Sequence, residues 1–351
     1  DLHVRSRRQR QMCIRDRYKR NSSRRKTPWD NQITLTPMQE FIKDRYQEEY
    51  DNKHPDISNS KEITLLNSFA IDSCRICHSK NIQKNGHTKT GIQRYFCNDC
   101  KHSFTVITNT IFDNRKISIT EWIEFCLDIF RYESLNITSK TNKNASTTTK
   151  YWLKKLFLLL EDYQNDIVLS GNVYIDETYF PVISSKKVTK DGKQLRGLSR
   201  NQYCIAIGYD GINVYVFLEG VGKTSQKKTK DAFINHIAPG SHLVHDKEKA
   251  HRIIVNELAL TEDSYDANEC KKLKDKDNPL NEINQQCRML QKFLKAHSGF
   301  DRNDLQNYLN LYSFIMNSPT NKLEKVEKLL ISAMDNPKSL KYRDVFPSKT
   351  R

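Results

Sequence analysis

The chain has 351 residues, of which 58 are Lys or Arg and 42 are Asp or Glu, so its formal net charge is +16. This balance predicts a polyanionic partner, most often nucleic acid. No apolar run approaches the roughly 18–20 residues that a membrane-spanning helix needs, and no signal-peptide pattern opens the sequence. The sequence therefore disfavours membrane and secreted proteins, and we expect a cytoplasmic one.

Residues 1–17 are interpreted as translated sequencing-library adapter rather than native protein. The codons CGT CGG CAG CGT CAG ATG TGT ATA AGA GAC encode Arg7–Asp16, and that DNA resembles a transposon-end adapter. The adapter's outer tail, GAT CTA CAC, encodes Asp1-Leu2-His3 in the same way. A genuine basic arm is the alternative. Omitting these residues removes six Arg and two Asp and lowers the net charge from +16 to +12, so the chain stays basic.

Residues 18–70 are expected to form a basic lead that is flexible and then helical, and residues 71–106 a zinc ribbon. The ribbon holds two CxxC pairs, Cys74 with Cys77 and Cys97 with Cys100. Their spacing is typical of sites in which four thiolates surround a structural Zn²⁺ tetrahedrally. Without a secretory signal, this cysteine usage indicates metal binding in a reducing compartment.

Four basic side chains crowd the same small unit, which suits contact with DNA phosphates. They are Lys84, Lys89, Arg94 and Lys101. A merely solvated charged face is the alternative.

Residues 115–165 predict a unit of three helices. In the last, "NASTTTKYWLKKLFLLLE", apolar residues recur at helical spacing, while Thr147, Lys150 and Lys154 form a separate polar stripe. This order is similar to that of a helix-turn-helix, whose last helix reads a DNA groove. Plain packing of three helices is the alternative.

Residues 170–318 are expected to form a catalytic domain of the ribonuclease-H-like kind. A C-terminal helix and tail are expected at 319–351. Asp176 and Asp246 each end a β-run, and Asp210-Gly211 predicts a hairpin between them. The order of strand, hairpin, helix and strand would bring the two aspartates together. Such a pair binds two Mg²⁺ or Mn²⁺ ions for phosphodiester chemistry.

A third ligand is expected from a helix that starts near Asn278 and Pro279. Glu282 and Asn284 lie on different helix faces, so the two cannot both face the metals. We favour Asn284, with Glu282 as the alternative, because of the other residues on its face. The face of Asn284, with one adjacent position, carries residues that could hold a DNA strand. They are Arg288, Gln291, Lys292 and Lys295.

Taken together, these stretches resemble the bacterial insertion-sequence transposases of the ISXO type. The matching pieces are "CRICHSKNIQKNGHTKTGIQRYFCNDC", "NTIF", "YIDETYF", "VHDKEKAH" and "NPLNEIN", between about residues 70 and 318. The resemblance implies a multi-domain α/β protein that cuts and rejoins DNA at the element's terminal inverted repeats.

The resemblance also implies roles for particular residues and partners. Asp176, Asp246 and Asn284 would be the metal-binding triad of a protein that binds inverted repeats and target DNA. Because two DNA ends must be brought together, we expect a homodimer or larger assembly, associated with the nucleoid. The family's helix usually carries Lys seven residues after the Asn, whereas this chain has Gln291, followed by Lys292. Either Lys292 substitutes for it or DNA positioning is weakened.

Two other functions stay open: a decayed or regulatory DNA-binding protein, and a nuclease of the same fold. Four histidines near the sites are interpreted as surface residues or as residues that support the ligands: His78, His87, His245 and His251. Four further cysteines are interpreted as core or incidental thiols: Cys126, Cys204, Cys270 and Cys287.

Overall fold

The structure, a computed structural model, describes residues 28, 34–54, 60–113, 118–183, 187, 189–190, 193–194 and 199–347. The adapter interpretation of residues 1–17 and the first part of the basic lead lie outside these residues. In the described part of the chain, no helix is long and apolar enough to cross a membrane. The chain divides between residues 55 and 56 into two compact units.

The first unit contains one described helix, α1 (Pro37–Lys53). Its start is set by a capping box, in which Gln39 N donates to Thr36 Oγ1 at 3.3 Å and Thr36 N donates to Gln39 Oε1 at 2.9 Å. Pro37 occupies the first turn, where its missing N–H costs nothing.

The second unit begins with α2 (Ser60–Ser68) and a three-stranded antiparallel sheet of order β1-β2-β3. The strands are β1 (Ile82–His87), β2 (Gln93–Cys97) and β3 (Ser103–Thr105). Asn67 holds the turn between β1 and β2, because it accepts from Gln93 N at 2.8 Å and donates to Gly91 O at 3.1 Å.

Three helices follow, as the sequence predicts: α3 (Ile119–Phe130), α4 (Leu135–Thr141) and α5 (Ser146–Leu160). Trp122 and Trp152 stack with their ring centroids 4.9 Å apart, and Phe125 packs edge-on against Trp152. These aromatic contacts join α3 to α5. Ser118 and Ser134 cap α3 and α4 with their hydroxyls.

A five-stranded mixed sheet of order β10-β9-β4-β7-β8 forms the centre of the second unit. Its strands are β4 (Asn172–Pro181), β7 (Gln202–Tyr209), β8 (Val214–Val221), β9 (His242–Asp246) and β10 (Thr261–Tyr265). β4, β7 and β8 pair antiparallel, whereas β9 runs parallel to β4 and to β10. This is the ribonuclease-H-like arrangement, so the predicted α/β fold is confirmed. Two short strands, β5 (Thr189–Lys190) and β6 (Lys193–Gln194), pair separately.

Helices cover both faces of this sheet. One face packs on α6 (Gln226–Phe233) and α7 (Arg252–Glu257). The other shares a hydrophobic core with α3, α5 and three later helices: α9 (Asn281–Ala296), α10 (Leu305–Met316) and α11 (Lys322–Asp335). The helices α8 (Ala267–Cys270) and α12 (Tyr342–Val345) are single turns.

Strand β8 lies at one edge of the sheet, where side chains instead of another strand bond to its backbone. Gln164 accepts from Val216 N and donates to Val216 O, both at 2.9 Å. Asn317 accepts from Val214 N at 2.7 Å. These amides satisfy buried backbone groups that an edge strand would otherwise leave unpaired.

Two local expectations need correction. β4 continues to Pro181, so Asp176 lies within the strand and not at its end. α9 begins at Asn281, because the Asn278 side chain accepts from Leu280 N at 2.9 Å and forms a turn before the helix.

Candidate active site and metal centres

The four ribbon cysteines lie together. Cys74 Sγ is 3.7 Å from Cys100 Sγ, and Cys77 Sγ is 3.6 Å from Cys97 Sγ. Each CxxC pair closes a matching turn, in which the N–H of the residue after the second cysteine donates to the carbonyl of the first at 3.0 Å. Those two residues, His78 and Lys101, both have φ near +60°.

The cluster fits a tetrahedral metal ion. Bonds of about 2.3 Å from zinc to sulfur place neighbouring sulfurs roughly 3.8 Å apart, close to the observed separations. A disulfide needs about 2.05 Å, so the pairs are not oxidised. The pKa of the Cys97 thiol is lowered to about 7, first by the backbone N–H of Cys100 and also by that of Asp99, although burial opposes it. All four sulfurs lie within 4.8 Å of one another, and the site could hold a metal.

The basic residues predicted to bind DNA on the ribbon are all exposed: Lys84, Lys89, Arg94 and Lys101. Arg94 Nε donates to Asn85 O at 3.0 Å, which steadies its guanidinium against strand β1.

Asp176 and Asp246 lie on adjacent parallel strands. Asn172, Val173 and Tyr174 of β4 pair with successive residues of β9, and Tyr174 lies opposite Val244. Two residues further along each strand, the same register brings Asp176 level with Asp246. Side chains two residues apart point to the same face of a sheet, so both carboxylates share the face of Tyr174 and Val244.

Helix α9 packs on this face. Cys287 Sγ lies 3.8 Å from Asp176 Oδ2, and Gln291 Nε2 donates to Thr178 Oγ1 at 2.7 Å. Asn284 is half-buried and lies one turn before Cys287, on the same helix face as Gln291. The three favoured candidates for the magnesium site are Asp176, Asp246 and Asn284. They thus lie on one face of the sheet and on the helix that covers it.

Glu282, the alternative third ligand, lies elsewhere on α9. It is exposed, and its charge, after burial, is the next largest cause of the raised pKa of Tyr209. Tyr209 pairs with Tyr174, before Asp176 along β4. The remaining candidates on this helix are exposed: Arg288, Lys292 and Lys295.

The carboxylates carry excess negative charge. Burial, the neighbouring Glu177 and then Asp246 raise the pKa of Asp176 to about 7. Glu177 N donates to Asp176 Oδ1 at 2.8 Å, and Glu248 N donates to Asp246 Oδ1 at 3.0 Å. These backbone bonds fix the orientation of each carboxylate.

Behind the carboxylates runs a buried chain of hydrogen bonds that was not predicted from the sequence. His245 Nε2 bonds to Glu262 Oε2, the two Nδ1 atoms of His245 and His251 meet, and His251 Nε2 bonds to Glu177 Oε1, each at 3.0 Å. Both histidines are buried, so the surface interpretation is wrong for them. The signal in the sequence was the "VHDKEKAH" stretch, which places one histidine on each side of Asp246.

The two histidines differ electrostatically. Burial and the nearby His251 lower the pKa of His245. Burial also opposes the charged form of His251, but the bond to Glu177 and the charges of Glu177 and Asp246 outweigh it and raise the pKa of His251.

The three residues of the polar stripe on α5 have different surroundings. Thr147 and Lys150 are exposed, and Lys150 Nζ lies 6.0 Å from the Phe346 ring centroid. Lys154 Nζ instead pairs with Asp304 Oδ1 at 2.5 Å. One of the three residues predicted to bind DNA is therefore already neutralised within the unit.

No family model matches the chain. It is 27% identical over 129 residues to a Halobacterium salinarum protein described as an uncharacterized protein in transposable element ISH50. The match covers 36% of this chain and 42% of that protein, so the chain spans less than half of the relative's length.

Solved structures with some likeness include two Mos1 complexes. A pre-cleavage Mos1 transpososome has a TM-score of 0.27 at 12% identity, over 61% of this chain and 76% of that chain. A Mos1 mariner paired-end complex with Mn has a TM-score of 0.28 at 11% identity, over 61% and 75%. The ribonuclease-H-like assignment rests on this chain's own strand order, and the sequence is similar, over 129 residues, to a protein of a transposable element.

Proposed function

We propose that the chain is a DNA transposase of the ISXO type that binds the inverted-repeat ends of an insertion sequence and carries out metal-dependent strand cleavage and strand transfer. The observation that carries this proposal is the register of β4 and β9, in which Tyr174 lies opposite Val244, two residues before Asp176 and Asp246 respectively. The similarity to a transposable-element protein supports the same function.

Asp176, Asp246 and Asn284 would bind Mg²⁺ or Mn²⁺, since carboxylate and amide oxygens suit hard cations. Two such ions, when bound, supply activation of the attacking oxygen and stabilisation of the leaving oxygen. The protein's part is orientation. Strand β4 and the Glu177 N–H hold Asp176, the Glu248 N–H holds Asp246, and α9 closes the site over Asp176 through Cys287.

The ribbon and the helical unit would bind the element ends. A Zn²⁺ held by the four ribbon cysteines would keep Lys84, Lys89, Arg94 and Lys101 on one small, rigid surface. On α9, Gln291 is bonded to Thr178, so the exposed Lys292 is the residue free to take a DNA phosphate. Because two ends must be joined, we propose a homodimer or larger assembly in the nucleoid of a bacterium.

The test compares the wild-type chain with Asp176→Ala and Asp246→Ala, in Mg²⁺ or Mn²⁺, on DNA carrying the element's own flanks. Asp263→Ala is the matched control, since it removes an exposed strand aspartate whose partners are His242 and Tyr265. We expect cut and joined strands from wild type and the control alone. Each of the other two variants should lose at least about 100-fold, a few kcal/mol of transition-state stabilisation.

Other outcomes select the alternatives. Tight DNA binding without cutting by any of the proteins would identify a decayed or regulatory protein, and Gln291→Lys would then test whether the missing lysine is the cause. Cutting without joining would identify a nuclease of the same fold.

A further inference from the structure

We propose that His245, Asp246 and His251 form a second transition-metal site, separate from the four-cysteine centre and sharing only Asp246 with the proposed magnesium pair. The proposal rests on hydrogen bonds within the chain and holds whether or not the chain is a transposase.

The three ligand atoms converge. His245 Nδ1 and His251 Nδ1 are 3.0 Å apart, and Asp246 Oδ1 lies 3.7 Å from His251 Nδ1. All three lie within 4.8 Å of one another. Ligands with bonds of about 2.1 Å to one ion lie roughly 3.0–3.5 Å apart at right-angled to tetrahedral geometry. The two nitrogens already have this spacing, and the carboxylate would move closer to complete the site.

The hydrogen bonds leave one nitrogen of each histidine for an ion. His245 Nε2 bonds to Glu262, and His251 Nε2 bonds to Glu177. The two Nδ1 atoms then face each other, with Asp246 Oδ1 beside them. One metal ion at this position would be bound by all three atoms.

The surroundings favour a metal. Histidines that bind metals almost always donate their other ring N–H to a carboxylate, a backbone carbonyl or water, and here the outer ring nitrogens bond to Glu262 and Glu177. Two imidazoles and one carboxylate select borderline transition metals such as Zn²⁺, Co²⁺ or Ni²⁺ over Mg²⁺. Both rings are buried, while the Asp246 side chain is 30% exposed and leaves a path to the ion. Asp176 and the flanking carboxylates leave ample negative charge to balance it.

The experiment titrates the metal-free full chain with Co²⁺ and then Zn²⁺, and counts bound ions per chain. We expect two equivalents. One should show thiolate-to-cobalt charge-transfer absorption from the ribbon, and the other only the weaker bands of nitrogen and oxygen ligands. His251→Asn should bind one equivalent and keep the thiolate absorption unchanged.

Three further variants keep the result decisive. Glu262→Gln changes a side chain that is 40% exposed, so the fold should survive, and we expect about 10–100-fold weaker binding of the second ion. Asp176→Asn should keep both equivalents, which separates this site from the proposed magnesium pair. His242→Gln, on the same strand but outside the cluster, is the matched control and should also keep both.

Two results would overturn the proposal. One is a single equivalent in wild type that carries thiolate absorption, because the position between the histidines would then hold only a proton. The other is a second equivalent of unchanged affinity in Glu262→Gln. If His251→Asn does not fold, Glu262→Gln decides by itself.

Discussion

The four ribbon cysteines and the three candidate ligands of the carboxylate site are brought together by opposite means. The ribbon's four cysteines come from residues 74–100, and two equivalent turns present them. The aspartates and Asn284 come from three elements, β4, β9 and α9, whose positions depend on a sheet and a core shared with other helices. The ribbon site is local, and the carboxylate site is a product of long-range packing.

This difference predicts that the two sites respond differently to loss of metal and to disturbed packing. A local site in a small sheet has little apolar core, so its fold should depend on the ion. A site on a large packed sheet should keep its geometry without metal and lose it when packing is disturbed. The following predictions test that contrast, from the largest expected effect to the smallest.

Cys97→Ser should unfold the ribbon alone. Removing one of four thiolates forfeits metal binding that is worth on the order of 10 kcal/mol and is coupled to folding. Hydrogen exchange should show lost protection at residues 74–105 and normal protection in β4. Cys287→Ser is the control, because this thiol lies beside Asp176 and outside the ribbon. Full protection of the ribbon in Cys97→Ser would contradict the expected dependence on metal.

Gln164→Leu should destabilise the large sheet and leave the ribbon intact. It strips both hydrogen bonds from the buried Val216 backbone at the sheet edge, which costs about 3–5 kcal/mol. Urea denaturation measures the loss. Gln306→Leu removes one bond to the β8 backbone, from Leu218 N, and one bond to Asn310 Oδ1, at a half-buried position, and should cost about 1–2 kcal/mol. Equal stability of Gln164→Leu and wild type would show that side-chain pairing of β8 is dispensable.

Acid should weaken the packed unit through His297. Burial lowers the pKa of His297 to about 4, and neither of its ring nitrogens has a hydrogen-bond partner in the described chain. In the unfolded chain this pKa is about 6.5, so the unfolded state binds the extra proton first. Stability contributed by neutral His297 is therefore complete above about pH 6.5 and is lost as the pH falls towards 4, by up to about 3 kcal/mol.

His297→Phe tests this expectation. Phenylalanine fills the place between Phe293 and Tyr308 without a titrating group. The free energy of unfolding, measured between pH 4 and 7, should then fall less steeply with acid than in wild type. Parallel curves for the two proteins would assign the acid sensitivity to other groups.

Removing a positive charge from the ribbon or from helix α5, the two predicted DNA-binding regions, should give the smallest effects. Arg94→Ala or Lys150→Ala removes an exposed charge, and the salt dependence of DNA binding should fall by about one ion for each phosphate that the side chain no longer neutralises. Lys154→Ala should change it less, because Asp304 already neutralises Lys154. A larger change in Lys154→Ala than in Lys150→Ala would mean that the ion pair with Asp304 opens when DNA binds.

Features set by neighbours in the chain could be predicted from the sequence. The Asp210-Gly211 hairpin is confirmed: Gly211 has φ of +90°, and the Asp210 side chain accepts from Asn213 N at 2.7 Å. The fold class is confirmed as well, because the order of strands and helices restricts the possible sheet topologies. The roles of Asp176, Asp246, Asn284 and the ribbon's basic residues stay predictions.

Features set by contacts between distant segments were decided only by the tertiary structure. Gln291 bonds to Thr178, Lys154 pairs with Asp304, and His251 bridges Glu177 and His245. The physical reason is that hydrogen bonds and ion pairs depend on the direction and position of each partner. Hydrophobic periodicity shows which face of a helix or strand is buried, but polar partners are chosen by register and by helix position, to within a hydrogen-bond length. The sequence by itself thus determined the order of the first four strands of the large sheet and that the four ribbon cysteines lie together. The fold decided which charged side chains stay exposed and which are paired inside the protein.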